Sequence, residues 1–560
     1  MATNDPIFAL SNEYVDAFCA LSPISASMAG VPGDFDGWDD YSPEGAERAL
    51  AVHRSFLQRL EALPIASDPW ARLARNVMGD FLREKIAYYE SGDHLCDLNN
   101  IECPLQHVRV VFDVMDLSTA GGWGAATRRL ATLDKALSHY RAALEEGARR
   151  GLVAAQRQVR ATREQARLQA SEKSSYYDLL STFDKSDIKD GALRAALAAG
   201  IESTRAAFAE FGRFLDGYLE KATPKDAVGE ARYRRSVRRF LGMELDLEET
   251  YAWGFKEIAA IEGAMRDVAA KIAPGKSVPD LIAELSSSPD QLIADIDQFL
   301  AIMRDRQNRA LSELYGTHFD VPDPVKKIEV RLAPAGGALG AYYYPPNENF
   351  TRPGTVYYAP AEGHKYALFS EITTAYHEGF PGHHLQCGLQ VYLADRLSRL
   401  HRLFVVCSGY AEGWALYAEQ LMEELGYLDK PEYVLGMHMA KLFRACRVVA
   451  DIGMHLELTI PASFDFHPGE TWGYDLCVEL LTKRAFVPSE FAMSEATRYL
   501  GWPAQAISYK VGERVILGLR TDLKTKLGDK FDLKRFHEVV LSTGSVGLDL
   551  LRDVTRESFA

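Results

Sequence analysis

The stretch Pro324-Val325-Lys326-Lys327-Ile328-Glu329-Val330-Arg331-Leu332, then Gly340-Ala341-Tyr342-Tyr343-Tyr344-Pro345-Pro346, then Gly354-Thr355-Val356-Tyr357-Tyr358, is where the texture of the chain changes. β-Branched and aromatic runs bounded by glycine and proline read as two or three short strands joined by loops. Both flanks read as helix. Ahead of the stretch, residues 126–170, 192–221 and 247–273 are rich in Ala, Leu, Arg and Glu, with apolar residues three and four apart and few breakers. Ala222-Thr223-Pro224, Pro274-Gly275, Ser286-Ser287-Ser288-Pro289 and Val321-Pro322-Asp323-Pro324 punctuate that pattern as turns. Helical texture returns near Tyr366 and persists to the end, interrupted at 461–472 and 501–503. The expected fold class is mainly α, a large helical body with a small β-sheet immediately ahead of a long helix. Two regions, 1–325 and 326–560, are expected within one continuous structural body.

Composition bounds the function. The 560 residues carry 63 Lys plus Arg against 78 Asp plus Glu, a net charge of −15, and 47% are apolar. A charged fraction of 25% and a mean hydropathy of −0.17 exclude disorder and a membrane-embedded chain. An acidic balance argues against nucleic acid, whose phosphates need a basic face. The local run Arg232, Arg234, Arg235, Arg238 and Arg239 is followed at once by Glu244, Asp246, Glu248 and Glu249, and reads as a solvated helix face. Seven scattered cysteines with no CxxC pair suggest buried reduced thiols. Residues 1–13 show no basic leader before an apolar core, and the uncharged stretch 332–347 is shorter than the roughly 18 residues that span a bilayer. The expected setting is cytoplasmic, with no membrane partner.

The chemistry concentrates at Tyr376-His377-Glu378-Gly379-Phe380-Pro381-Gly382-His383-His384-Leu385-Gln386, which holds three of the fourteen histidines. The zinc-hydrolase pattern His-Glu-x-x-His places two histidines four apart on one helix face, with a glutamate beside a water on the metal. Position 381 is proline, so the simple pattern fails. On a regular helix His383 lies about 240° around from His377, and His384 about 10 Å further along the axis. Pro381 lacks an amide hydrogen and Gly382 tolerates unusual torsions, so a distortion is expected here. A two-residue bulge would bring His383 to where a fourth-following histidine sits, making His377 and His383 ligands of zinc and Glu378 the general base. Glu412, some thirty residues on, suits the third ligand position, and Glu419, seven further on the same face, suits an outer partner of a ligand histidine. His384 is the alternative ligand, or a contact to substrate.

Together with Glu412-Gly413-Trp414, these residues resemble the bacterial family known as domain of unknown function 885, grouped with zinc-dependent peptidases. Ser22-Pro23, Ala29-Gly30, Tyr342-Tyr343, Asp451-x-Gly453-x-His455 and Pro503-x-Gln505-Ala506-x-Ser508-Tyr509-Lys510-x-Gly512 match as well, so the resemblance spans nearly the whole chain. It implies a helical fold with a deep cleft, similar to the thimet oligopeptidase and neurolysin type, with residues 1–325 forming a wall and 326–560 carrying the metal.

The remaining candidates have two readings each. Asp451 and His455, four apart on a helix, either face the site together or form a buried pair. Tyr509 either donates to the oxyanion of peptide hydrolysis or packs. Lys510 or Arg514 could hold a substrate carboxylate, and Tyr342, Tyr343 and Tyr344 either line an edge strand along a bound peptide or pack in the core. The function expected is a zinc-dependent hydrolase of short peptides. A zinc-dependent amidase of non-peptide substrates and a non-catalytic binding protein on the same scaffold are the alternatives.

Overall fold

Helix boundaries follow the punctuation of the sequence. In the computed structural model, which describes residues 5–33, 36–333, 340–359 and 365–560, helices occupy Gly191–Tyr218 and Leu247–Ile272, and each ends beside an expected turn. Residues 334–339 of the uncharged stretch, and Pro360, lie outside the described residues. Residues 126–170, which read as one helical tract, form parts of three helices, Ala120–Ala131, Leu133–Arg149 and Gln156–Ala170. Thr132 makes the first break, its hydroxyl bonding back to the Arg128 carbonyl oxygen at 3.0 Å.

Two compact units emerge from the contacts. The first comprises the described residues of Met1–Asp226 with Ser398–Phe404. It is wholly helical and its core is built on Trp123, Leu130, Tyr140, Tyr176, Phe208 and Phe211. Local capping explains the Ser22-Pro23 and Ala29-Gly30 strings: Ser22 caps the helix Pro23–Ala29 with its hydroxyl, and Gly30 closes it at φ 65°.

The second unit takes most of the remainder. Its helices include α1 (Gly229–Leu241), α2 (Leu247–Ile272), α3 (Ile296–Leu314), α4 (Leu368–Glu378), α5 (His383–Tyr392), α6 (Ser408–Glu424), α7 (Pro431–Leu456), α8 (Ser489–Gly501) and α9 (Ser508–Leu527). Three strands, β1 (Ile328–Leu332), β2 (Gly340–Tyr344) and β3 (Gly354–Ala359), form one sheet in the order β1-β3-β2. β3 runs parallel to β1, with Val330 opposite Val356, and antiparallel to β2, with Tyr343 opposite Val356. The small sheet ahead of α4 is therefore present. A two-residue pairing of Leu292–Ile293 with Tyr366–Ala367 leads the chain into α4. Among the described residues, no helix is long and apolar enough to cross a membrane.

α6 is buried around most of its circumference, which makes it the axis of this unit. It packs on α9 by direct backbone contact. A Cβ on Gly413 would come 2.4 Å from the Gly512 carbonyl carbon, and one on Gly512 would come 1.9 Å from the Gly409 carbonyl oxygen. Those glycines account for the Glu412-Gly413 and Lys510-x-Gly512 strings.

Candidate metal centre

α4 carries His377 and Glu378 in its last turn and stops there. The bulge expected inside one helix is instead a full break. Gly379–Gly382 leaves helical geometry, the Phe380–Pro381 peptide is cis, and a new helix, α5, starts at His383. Pro381 cannot donate to a helical carbonyl. Gly382 is pressed against the last turn of α4, where a Cβ would meet the His377 carbonyl oxygen at 2.0 Å and that of Tyr376 at 2.3 Å. The turn is held from both sides: the His384 amide donates to the Gly379 carbonyl oxygen at 3.2 Å, and the Trp414 indole N–H donates to that of Pro381 at 2.9 Å.

The break achieves what the bulge was expected to do. His377, His383 and Glu412 converge, with one ligand atom from each within 4.8 Å of the others. Glu412 Oε2 lies 3.3 Å from His377 Nε2 and 3.6 Å from His383 Nε2. Four tetrahedral ligands at roughly 2.1 Å from a zinc ion stand roughly 3.4 Å apart, so these separations fit such an ion. Glu412 Oε2 is also buried with no hydrogen-bond partner, the condition of an acceptor that needs a cation. The donor set of two imidazoles and one carboxylate suits zinc with a position left open.

Glu419, fully buried, accepts from His377 Nδ1 at 2.8 Å and from the Thr373 hydroxyl, and the Arg444 guanidinium lies 3.8 Å away. A carboxylate acceptor requires the proton on Nδ1, which leaves Nε2, the nitrogen facing Glu412, as the one that would ligate an ion. Burial opposes charge on His377, yet the carboxylates of Glu412 and Glu419 outweigh it and push the imidazole up to about 9. Burial likewise opposes the Glu412 carboxylate, and the His377 and His383 imidazoles facing it hold it well below its usual range. The cluster thus favours positive charge at its centre.

His384 points elsewhere. Its Nε2 donates to the Val325 carbonyl oxygen at 2.7 Å, and its Nδ1 accepts from the Tyr343 hydroxyl at 3.1 Å, so both nitrogens are used. Burial depresses it to about 4 and keeps it neutral. Tyr343 therefore serves the sheet–α5 contact, while Tyr342 and Tyr344 pack on Tyr357. Glu378 is buried beside His377 and makes no hydrogen bond or ion pair among the described residues, which leaves its carboxylate available.

The other candidates separate. Tyr509 belongs to the neighbourhood: burial and the Glu412 carboxylate raise its phenol, while Arg447, Arg498 and Arg444 act in the opposite direction. His455 is fully buried and donates from Nε2 to the Tyr499 carbonyl oxygen at 3.0 Å, and Asp451 accepts from the Tyr233 hydroxyl at 2.7 Å and the Ala504 amide at 2.9 Å. These contacts are internal to α1, α7 and the segment from α8 to α9, and none of them is to a residue of the triad. Lys510 is paired with Glu257 and Glu513, and Arg514 with Glu249. Arg444 and Arg447 went unnoticed in the sequence. Their signal was there: 444, 447, 451 and 455 follow a three-four-four spacing that places four polar residues on one face of a mostly buried helix.

The profile of a family described as a bacterial protein of unknown function, DUF885, matches residues 23–554. The chain belongs to this family. Two solved structures share the fold of this DUF885 protein. One is the crystal structure of a candidate lipoprotein from Colwellia psychrerythraea, 22% identical, covering 100% of this chain and 99% of that one with a TM-score of 0.88. The other is a candidate lipoprotein of unknown function from Shewanella oneidensis, 20% identical, covering 98% and 99% with a TM-score of 0.72. No curated protein matches the chain significantly.

Proposed function

We propose that this DUF885 protein is a zinc-dependent hydrolase of short peptides. The observation that carries the reading is the buried, unpartnered Glu412 Oε2 set 3.3 and 3.6 Å from two imidazole Nε2 atoms. When bound there, a zinc ion supplies Lewis acidity that acidifies water and polarises a carbonyl. His377, His383 and Glu412 are the ligands, and Glu419 fixes the His377 tautomer. The Glu378 carboxylate takes the proton of the attacking water and passes it to the leaving amine, a role worth about 10²–10⁴ in rate. In this reading Tyr509, whose phenol feels the Glu412 carboxylate, donates its proton to the developing oxyanion.

The test pairs elemental analysis with the variant Glu378→Gln. Stoichiometric zinc, peptide turnover lost on chelation, and a Glu378→Gln protein that keeps zinc and fold while losing at least a hundredfold in rate are expected. Zinc-loaded protein that cleaves only non-peptide amides would redirect the reading to an amidase. Zinc without any hydrolysis, or no metal at all, would leave a binding protein. We place the chain in the cytoplasm because its seven cysteines form no disulfide among the described residues and six of them are buried. Recovery in a detergent-soluble membrane fraction would overturn that placement, a setting suggested by the two relatives described as candidate lipoproteins.

A further inference from the structure

Behind the triad lies a concentration of arginine that the proposed hydrolysis does not use. Arg447 is 6% exposed; its Nε donates to the Tyr499 hydroxyl at 3.0 Å and its Nη2 to Glu495 at 2.9 Å, while its buried Nη1 has no acceptor. Arg444 reaches Glu419 at 3.8 Å, and its buried Nε has no acceptor. Both guanidiniums lie against the ring of Tyr509, at 4.5 Å for Arg447 and 5.8 Å for Arg444. Arg498 donates to both oxygens of Glu495 at 2.8 Å, sharing Oε2 with Arg447.

We infer that Arg447 and Arg444, beside Tyr509, hold a carboxylate of the substrate, so that the enzyme acts on amide bonds next to a free carboxyl terminus. The inference rests on the metallohydrolase reading for its reaction, and on the arginines for its specificity. Three guanidiniums, those of Arg444, Arg447 and Arg498, face two carboxylates, those of Glu419 and Glu495. Counted among these five groups, one positive charge is left over, together with two buried N–H groups that lack acceptors. A buried charge and buried donors of this kind are retained where a ligand completes them. A planar carboxylate of single charge meets both needs, matching the guanidinium fork and cancelling the excess. A phosphate dianion would overshoot it. The position is adjacent to the triad along two routes: Arg444 contacts Glu419, which holds His377, and Tyr509 stands within electrostatic reach of Glu412. Lys510 and Arg514 are already neutralised by their own carboxylates and leave this task to α7.

The test measures binding of N-acetyl amino acids and of the corresponding C-terminal amides by calorimetry, with full-length protein carrying Glu378→Gln so that turnover does not consume the probe. Free acids are expected to bind at least tenfold more tightly than amides, and Arg447→Gln or Arg444→Gln to bring that ratio close to one. Arg447 also supports Tyr499 and Glu495, so Arg444→Gln decides the matter if Arg447→Gln melts early. Equal binding of acids and amides, no binding of either, or a ratio unchanged in folded Arg444→Gln, as a carboxylate held by metal alone would give, overturns the subsite. Hydrolysis of acid and amide peptides with equal kcat/KM by the otherwise unaltered protein would refute the subsite and leave the hydrolase standing. Acid-selective binding without any hydrolysis would do the reverse.

Discussion

Trp414 donates its indole N–H to the carbonyl oxygen of Pro381 at 2.9 Å. The helix that presents Glu412 thereby also grips the turn that separates His377 from His383, so one tertiary bond links the elements that carry all three candidate ligands. Trp414→Phe keeps an aromatic ring but leaves that carbonyl unsatisfied, a cost of about 1–3 kcal/mol. A lower melting temperature and roughly tenfold weaker metal binding are expected, measured by thermal melts and by competition with a chromophoric chelator.

Glu419→Gln preserves shape and one acceptor for His377 Nδ1 but removes the charge that fixes the tautomer. Outer partners of this kind contribute about 10–100-fold to metal affinity. Equilibrium dialysis against zinc should report a loss in that range with the fold intact, and affinity equal to that of the parent would mean that Glu419 has no such role.

The glycine crossing of α6 and α9 makes a paired forecast. Gly413→Ala forces a Cβ to within 2.4 Å of Gly512 and should destabilise by about 1–3 kcal/mol. Gly518→Ala, on the same helix as Gly512 but in open space, should be neutral or gain up to about 1 kcal/mol of helix propensity. Differential scanning calorimetry separates the two, and similar melting temperatures would deny the crossing its importance.

Asp451 sets a pH dependence of stability. Burial raises it to about 7 against bonds from Tyr233 and Ala504 that lower it, so the folded chain prefers the protonated acid. Its contribution is present below the unfolded value near 4 and is lost as pH rises through 7. His455 works in the other direction: burial lowers it to about 4, and its contribution is lost as pH falls from 6.5 through that value. Asp451→Asn retains an acceptor for Tyr233 and Ala504 without the charge. Its stability relative to the parent should therefore rise by roughly 2–3 kcal/mol between about pH 5 and pH 8. A flat difference across that range would show that Asp451 does not titrate there.

What could be read from sequence was local. Strand texture at 328–358, turn residues between helices, and the seven-residue spacing of Glu412 and Glu419 all express short-range rules, and the elements stand where those rules put them. What escaped depends on partners far apart in the chain. The turn at Pro381-Gly382 that ends the helix is held in part by Trp414, which no nearby residue announces. The uses of His384 are decided by Val325, just ahead of β1, and Tyr343 on β2, and those of Asp451 by Tyr233 on α1. Three- and four-residue spacing on α7 showed a polar face but not that its arginines lean on Tyr509.

The crossing of α6 and α9 also limits how such a site can adapt. Where backbone meets backbone there is no side chain to exchange for a smaller one, and a larger one strains the crossing, so point substitution cannot finely adjust Glu412 relative to Tyr509. Any adjustment of the site has to come from replaceable side chains around it, while the gauge between the two helices stays constant.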